Sequence, residues 1–206
     1  MVPGWPPQPP QPDRQRWDAR YADGRAPSFE PHPLAVRALA VPSPAGPVAE
    51  LASGPSGSAL LAAAAGRQVT AVDISGVALG MLAREAARRG LAGLVTLVEA
   101  DLAEWRPAAA GYALVLCTGF WDRAVFAEAA RSVAPGGLLG WEAFTVAALR
   151  ARPKLCADWC LAPGEPASLL PADFEVIRIW ELPHNEPGIK CRLLARRMTT
   201  PGPAGG

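Results

Sequence analysis

The chain has 206 residues, half of them hydrophobic, with 20 Lys and Arg against 19 Asp and Glu. That length and apolar content suit one domain with a full core, while a net charge of +1 offers no field for nucleic acid or an anionic membrane. Cys117, Cys156, Cys160 and Cys191 form no close clusters with either histidine, which argues against a metal site, and the absence of a leader or a long apolar run leaves a soluble cytoplasmic protein as the expectation.

Residues 1–12 are rich in Pro and Gln and read as a disordered tail. Asp13 caps a short predicted helix ending at Tyr21, which sets Trp17 and Tyr21 one turn apart on one face. The pair belongs to an N-terminal arm, residues 13–30, and gives it an apolar docking face. Pro31–Val41 reads as another short helix, broken at Pro42 and Pro44.

The stretch 46–75 organises the rest. A buried strand leads to Glu50, a loop of small residues runs from Ala52 through Gly54 to Gly57, an Ala-rich helix follows, and a second strand ends on Asp73. Small side chains in the loop let backbone approach a ligand closely. Asp73 falls about 20 residues past the loop, where an open α/β sheet places an acid for ribose hydroxyls. The unit therefore reads as a nucleotide-cofactor site.

Ser75 caps a helix over Gly76–Arg89 whose buried stripe is Ala78, Leu79, Leu82 and Ala86, and Gly90 ends it. Strand three is predicted at Leu94–Ala100 and strand four at Tyr112–Thr118. Asp122 caps a helix with Val125, Phe126, Ala129 and Val133 inward, stopped by Pro135-Gly136-Gly137. Leu138–Phe144 makes strand five. Strands alternating with helices predict a doubly wound, mostly parallel Rossmann-like sheet. Phe174–Leu182 and Ile189–Arg197 then flank a turn, Pro183–Gly188, too short for a parallel crossover, so they form an antiparallel hairpin. Residues 199–206 read as a second disordered tail, which leaves 13–198 as the domain.

Glu50-Leu51-Ala52-Ser53-Gly54-Pro55 resembles the glycine loop of class I S-adenosylmethionine (AdoMet)-dependent methyltransferases, and Ala71-Val72-Asp73-Ile74-Ser75 resembles their second motif. More narrowly, Trp17-Asp18, Arg20-Tyr21, Asp101-Leu102, Asp122-Arg123 and Ala134-Pro135-Gly136-Gly137 are similar to the bacterial branch that includes tellurite-resistance and thiopurine-type enzymes. The likeness spans Trp17 to Arg197 and departs at one point: the family's Gly-Arg pair is Ser56-Gly57 here.

The resemblance implies the seven-stranded methyltransferase fold, AdoMet as cofactor and methyl transfer to a small molecule, with catalysis mainly by positioning. It implies that the arm, with Trp17 and Tyr21, folds over the cofactor, and that Glu50 faces its cationic end. Backbone near Ala52 and Gly54 meets its carboxylate. Asp73 takes the ribose, Ile74 packs on the adenine, and Asp101 accepts from the adenine amino group beside Leu102. Cys117, ending strand four, stands at the same edge, although its thiol reads as inert core. Phe120 and Trp121 either line an acceptor pocket or pack in the core. Arg123 either steers an anionic substrate or holds a neighbouring group. Glu142 is a pocket-edge position or a solvated one, and both histidines read as surface residues. No catalytic base stands out. Two other readings remain: a non-catalytic binding protein with the altered Ser56-Gly57 loop, and an NAD-dependent oxidoreductase, which the terminal hairpin disfavours.

Overall fold

A computed structural model of the protein describes residues 12–184 and 186–199. Seven strands form one sheet in the order β3-β2-β1-β4-β5-β7-β6. The strands are β1 (Val48–Leu51), β2 (Val69–Asp73), β3 (Val95–Glu99), β4 (Tyr112–Thr118), β5 (Val133–Phe144), β6 (Phe174–His184) and β7 (Glu186–Arg197). Pairs among β1 to β5 are parallel, whereas β7 runs antiparallel to both β5 and β6. This is the predicted α/β fold of the methyltransferases, hairpin included.

The helices are α1 (Pro12–Tyr21), α2 (Pro33–Ala40), α3 (Gly57–Ala64), α4 (Gly76–Arg88) and α5 (Arg123–Ser132). Alternation along the strands divides the core in two. On one face Leu51, Cys117, Leu139, Trp141 and Leu193 pack against Phe126 and Ala129 of α5. On the other Ala71, Leu116, Leu138 and Leu194 pack against Leu34 of α2, Leu60 of α3 and Leu82 of α4. Each fully buried leucine contributes about 1.5–3 kcal/mol. The buried residues of α4 are Ala78, Leu79, Leu82 and Ala86, the stripe its periodicity predicts, and Gly90 follows at φ +71°.

Boundaries differ in three places. Val133 opens β5 instead of closing the preceding helix, and the register jumps from Val133 opposite Tyr112 to Leu138 opposite Leu114, so Ala134–Gly137 bulge out. Cys156 and Cys160 flank a single 3-10 turn, Ala157–Trp159, where an α-helix would have set them face to face. Strand pairing in the hairpin reaches His184 and Glu186, within the expected turn Pro183–Gly188, and residue 185 lies outside the described residues. Residues 1–11 and 200–206, nearly all of the two expected tails, also lie outside them. No described helix is long and apolar enough to cross a membrane.

The segment before α2 crosses the start of α3. Ser58 Oγ accepts a 2.9 Å hydrogen bond from the His32 backbone N–H. A Cβ added to Gly57 would lie 2.3 Å from the Phe29 carbonyl oxygen. Gly57 is thus a close-approach glycine for protein backbone. Gly57→Ala is expected to lower stability by roughly 1–3 kcal/mol, the range for overpacking a tight contact. Urea unfolding measures this, and an unchanged midpoint would show that Phe29 is not seated there.

Candidate functional site

The loop after β1 sits where the crossovers diverge, β2 and β3 to one side and β4 and β5 to the other, the ligand crevice of open α/β sheets. Ala52 and Gly54 both take left-handed backbone, at φ +48° and +56°. Glycine adopts this freely, whereas alanine there costs about 1–2 kcal/mol. Asp73, 5% exposed at the end of β2, holds the turn. Its Oδ2 accepts from the Gly54 N–H at 2.7 Å and its Oδ1 from the Ser75 N–H at 2.8 Å. Burial raises the Asp73 carboxyl pKa, and these two hydrogen bonds oppose that rise. Ser75 caps α4 as predicted, accepting from the Ala78 N–H. Ile74, between them, is half-buried.

Glu50 is buried rather than solvated, and its Oε2 accepts a 2.6 Å hydrogen bond from the Ser56 hydroxyl. Burial pushes the Glu50 carboxyl up to about 7, against the lowering effect of that hydrogen bond. Ser56 is also the N-cap of α3, accepting from the N–H groups of Ser58 and Ala59. Its one donor and two acceptor sites are therefore all used. Among the described residues, neither Glu50 nor Asp73 is shifted by a basic side chain.

The N-terminal arm closes over this loop. Trp17 and Tyr21 stack at 6.0 Å on one face of α1, and Tyr21 Oη stands 2.7 Å from the place a Gly54 Cβ would occupy. Burial, with a smaller contribution from the Asp73 charge, pushes the Tyr21 phenol up to about 12. Asp18, between the two aromatics, accepts from the Ser75 hydroxyl at 2.6 Å and the Val77 N–H at 3.3 Å. Arg14 pairs with Glu99, the neighbour of Asp73 across the β2–β3 register. The sequence reading missed Asp18 as an anchor, although its i+1 position beside Trp17 was the available signal.

Asp101 follows β3, partly exposed, and its Oδ1 accepts from the Ala103 N–H at 2.9 Å, while Leu102 beside it is buried. At the end of β4, Cys117 is fully buried, and burial first, then the Glu50 charge, pushes its thiol well up, as an inert core thiol requires. Trp121 is 2% exposed, packed among Phe126 and Trp141, and its Nε1–H has no partner among the described residues. Phe120 is half-buried, and its carbonyl accepts from Trp141 Nε1 at 3.0 Å. Arg123 is committed to Glu165 through two hydrogen bonds of 2.7 and 3.1 Å, tying α5 to the segment between β5 and β6. Its partner in this structure is Glu165 rather than Asp122. Arg16 of the arm lies 4.8 Å over the Trp159 ring of the same segment.

Glu142 departs most from expectation. It is 1% exposed and gathers three donors: Lys190 Nζ at 2.6 Å, Arg192 Nε, and His32 Nε2 at 3.3 Å. Burial alone would raise its carboxyl, but these contacts hold it well below the usual carboxylate range. His32, expected at the surface, is part of this cluster and also caps α2 through Nδ1. The hairpin places Lys190 and Arg192 on the Glu142 face, a long-range pairing with no local sequence signature.

Residues 48–137 match the model of the methyltransferase domain. No curated protein matches the sequence. Among solved structures, geranyl diphosphate C-methyltransferase from Streptomyces coelicolor A3(2), in complex with Mg2+, geranyl diphosphate and S-adenosyl-L-homocysteine, is similar with a TM-score of 0.72 at 11% identity, over 92% of this chain and 100% of that one. The CcbJ methyltransferase from Streptomyces caelestis has a TM-score of 0.64 at 16% identity, over 88% and 96%. The [4+2]-cyclase SpnF has a TM-score of 0.64 at 16% identity, over 81% and 80%. At these identities the likeness is one of fold.

Because burial lifts Glu50 from 4.5 to about 7, the folded state holds that proton more tightly than the unfolded chain. The stability it contributes is fully present below about pH 4.5 and is lost as pH rises to about 7, an effect on the order of 3 kcal/mol. Glu50→Gln keeps an acceptor for Ser56 and removes this slope. The variant is expected to melt higher than the parent at pH 8 and close to it at pH 4.5. Parallel pH profiles for the two proteins would sink the assignment.

Proposed function

We propose that the protein binds AdoMet across the β1 loop and β2, and transfers its methyl group to a small-molecule acceptor placed over the ends of β4 and β5. The observation that carries this reading is a pair of buried carboxylates, Glu50 and Asp73, without a basic partner among the described residues, beside a left-handed backbone loop at the sheet's crevice. Buried charge without a counter-charge is costly. A ligand with a cationic end and two hydroxyl donors supplies what the two acids lack. The match of residues 48–137 to the methyltransferase domain supports the same ligand.

In this reading Glu50, with its Ser56 contact, faces the ammonium end, and the free lone pairs of Asp73 accept the ribose hydroxyls. Asp101 and Leu102 close around the adenine, with Ile74 on the other side. Trp17 and Tyr21 cover the loop and exclude water. AdoMet supplies a methyl group already activated by its sulfonium. The chain's own contribution is to align the acceptor and keep the crevice dry, which is where most of the acceleration in such a displacement arises. Phe120, half-buried at the end of β4, and the Trp121 indole N–H are the acceptor-side positions. The resemblance of the arm and of Asp122-Arg123 to the tellurite-resistance and thiopurine-type branch supports a soft nucleophile as acceptor.

The alternative of a degenerate, non-catalytic loop drew its support from Ser56. That serine serves the α3 cap and Glu50, so its hydroxyl has a role in building the loop that favours the binding reading. Calorimetric titration with AdoMet, S-adenosylhomocysteine and NAD in parallel separates the readings, with saturable binding of the two S-adenosyl ligands alone as the expected result. Asp73→Asn leaves the loop one acceptor and is expected to weaken AdoMet at least tenfold, in protein whose circular dichroism stays native. Unchanged affinity in that folded variant removes the ribose contact.

A further inference from the structure

Across the sheet from the cofactor loop, the same edge turns basic. Glu142 is already satisfied by three donors, yet its two cations outnumber it. His32 takes a backbone N–H at Nδ1, so its proton sits on Nε2 toward Glu142. Arg192 gives Glu142 only its Nε, which leaves both terminal nitrogens of its guanidinium without a hydrogen-bond partner among the described residues. Next to it on β6, opposite Arg192 in register, is Trp180. The guanidinium groups of Arg37 and Arg178 lie 5.5 and 5.2 Å from the Trp180 ring. Residues opposite one another in an antiparallel pair share a face, so Trp180 shares the face of Arg192, and the two guanidinium groups over its ring stand beside the two cations that hold Glu142.

The Glu142 cluster fixes an arginine through Nε and leaves the outer edge of its fork, the geometry that takes two oxygens of a carboxylate or phosphate. Arg192, Lys190 and His32 keep 16, 29 and 25% of their side chains exposed, so the cluster opens outward while Glu142 stays covered. Its position fits a substrate. Glu142 pairs with Thr118 at the end of β4, and Arg192 is one strand further on. At ordinary strand spacing Arg192 is about 10 Å from the end of β4 and about 14 Å from that of β1. A molecule whose reacting atom meets the methyl group over β4 would bring a distal group to this place.

We propose that Arg192 and Lys190, held in place by Glu142, form the subsite for an oxyanion group, a carboxylate or a phosphate, carried by the methyl acceptor. Its role as an acceptor subsite rests on the methyl-transfer reading above. Arg123, whose charge is committed to Glu165, is then not the residue that reads the substrate's charge.

The test is calorimetric titration of the full chain with sodium phosphate and, separately, sodium acetate at constant ionic strength, with and without saturating S-adenosylhomocysteine. Saturable binding of at least one anion is expected, and the tighter of the two identifies the group. Arg192→Lys keeps the charge and loses the fork, so it is expected to weaken binding at least tenfold with its melting temperature near that of the parent. Lys190→Met, which leaves Arg192 and His32 on Glu142, is expected to weaken it less. No saturable binding of either anion, or equal affinity in the parent and Arg192→Lys, overturns the proposal. Failure of S-adenosylhomocysteine to bind overturns the methyl-transfer reading instead, and the two results are read from separate titrations.

Discussion

The candidate site depends on one carboxylate bridging two backbone amides. β1 and β2 pair in parallel with Leu51 opposite Val72, so the chain leaves β1 for its loop just where β2 reaches Asp73. One oxygen of Asp73 takes the Gly54 N–H and the other takes the Ser75 N–H, which fixes the left-handed turn and the start of α4 together. Removing this acceptor leaves two buried donors unpaired, at about 1–3 kcal/mol each. The arm then has a fixed surface to land on, with Tyr21 over Gly54 and Asp18 on Ser75. A residue placed to meet a ligand thus also builds the surface the ligand meets.

Ser56 shows how a hydroxyl is absorbed in a loop of small residues. The loop needs small residues for close backbone approach, and serine adds a hydroxyl where glycine is expected. The hydroxyl is placed at the first turn of α3, where unpaired N–H groups need an acceptor, and beneath Glu50, which needs a donor. Both needs are general: any helix start has the first and any buried carboxylate the second. The glycine requirement passes to Gly57, and its cause is the Phe29 backbone rather than a ligand.

What the sequence made legible was local and periodic. The α4 stripe, its Ser75 cap and Gly90 stop, the strand–loop–helix unit and the terminal hairpin all follow from patterns a few residues long, and each stands in the fold. Alternation along β7 also sets Cys191, Leu193 and Ala195 in one core and Leu194 in the other, with Lys190 and Arg192 on Glu142. Of the candidate site, what the sequence picks out is what a motif concentrates in the chain, Glu50, Asp73 and the arm, which the structure brings together around the β1 loop. The sequence leaves Glu142 between a pocket edge and solvent, and His32 reads as a surface residue, because their partners are far away in sequence: 48 and 50 residues separate Glu142 from Lys190 and Arg192. A buried carboxylate and an exposed one look alike until the pairing that satisfies it is known. Arg123 was open for the same reason, since Glu165 is 42 residues away.

The near-zero net charge conceals a division. On the β1–β2 side of the edge stand Glu50, Asp73 and Asp18, two of them buried, and the first two lack a basic partner among the described residues. On the β5–β7–β6 side Lys190 and Arg192 hold the buried Glu142, and Arg37 and Arg178 lie over Trp180. The His32 segment spans the interval, its backbone on Ser58 of α3 and its ring on Glu142. Summing such charges over the chain gives almost nothing, and the absence of a long-range field says little about what a crevice attracts at contact distance. On the proposed reading, a cationic donor is anchored on the acidic side and the oxyanion of the acceptor on the basic side, which leaves the acceptor's reacting end over β4. The polarity of the edge would thus orient both reactants before any group touches the methyl carbon.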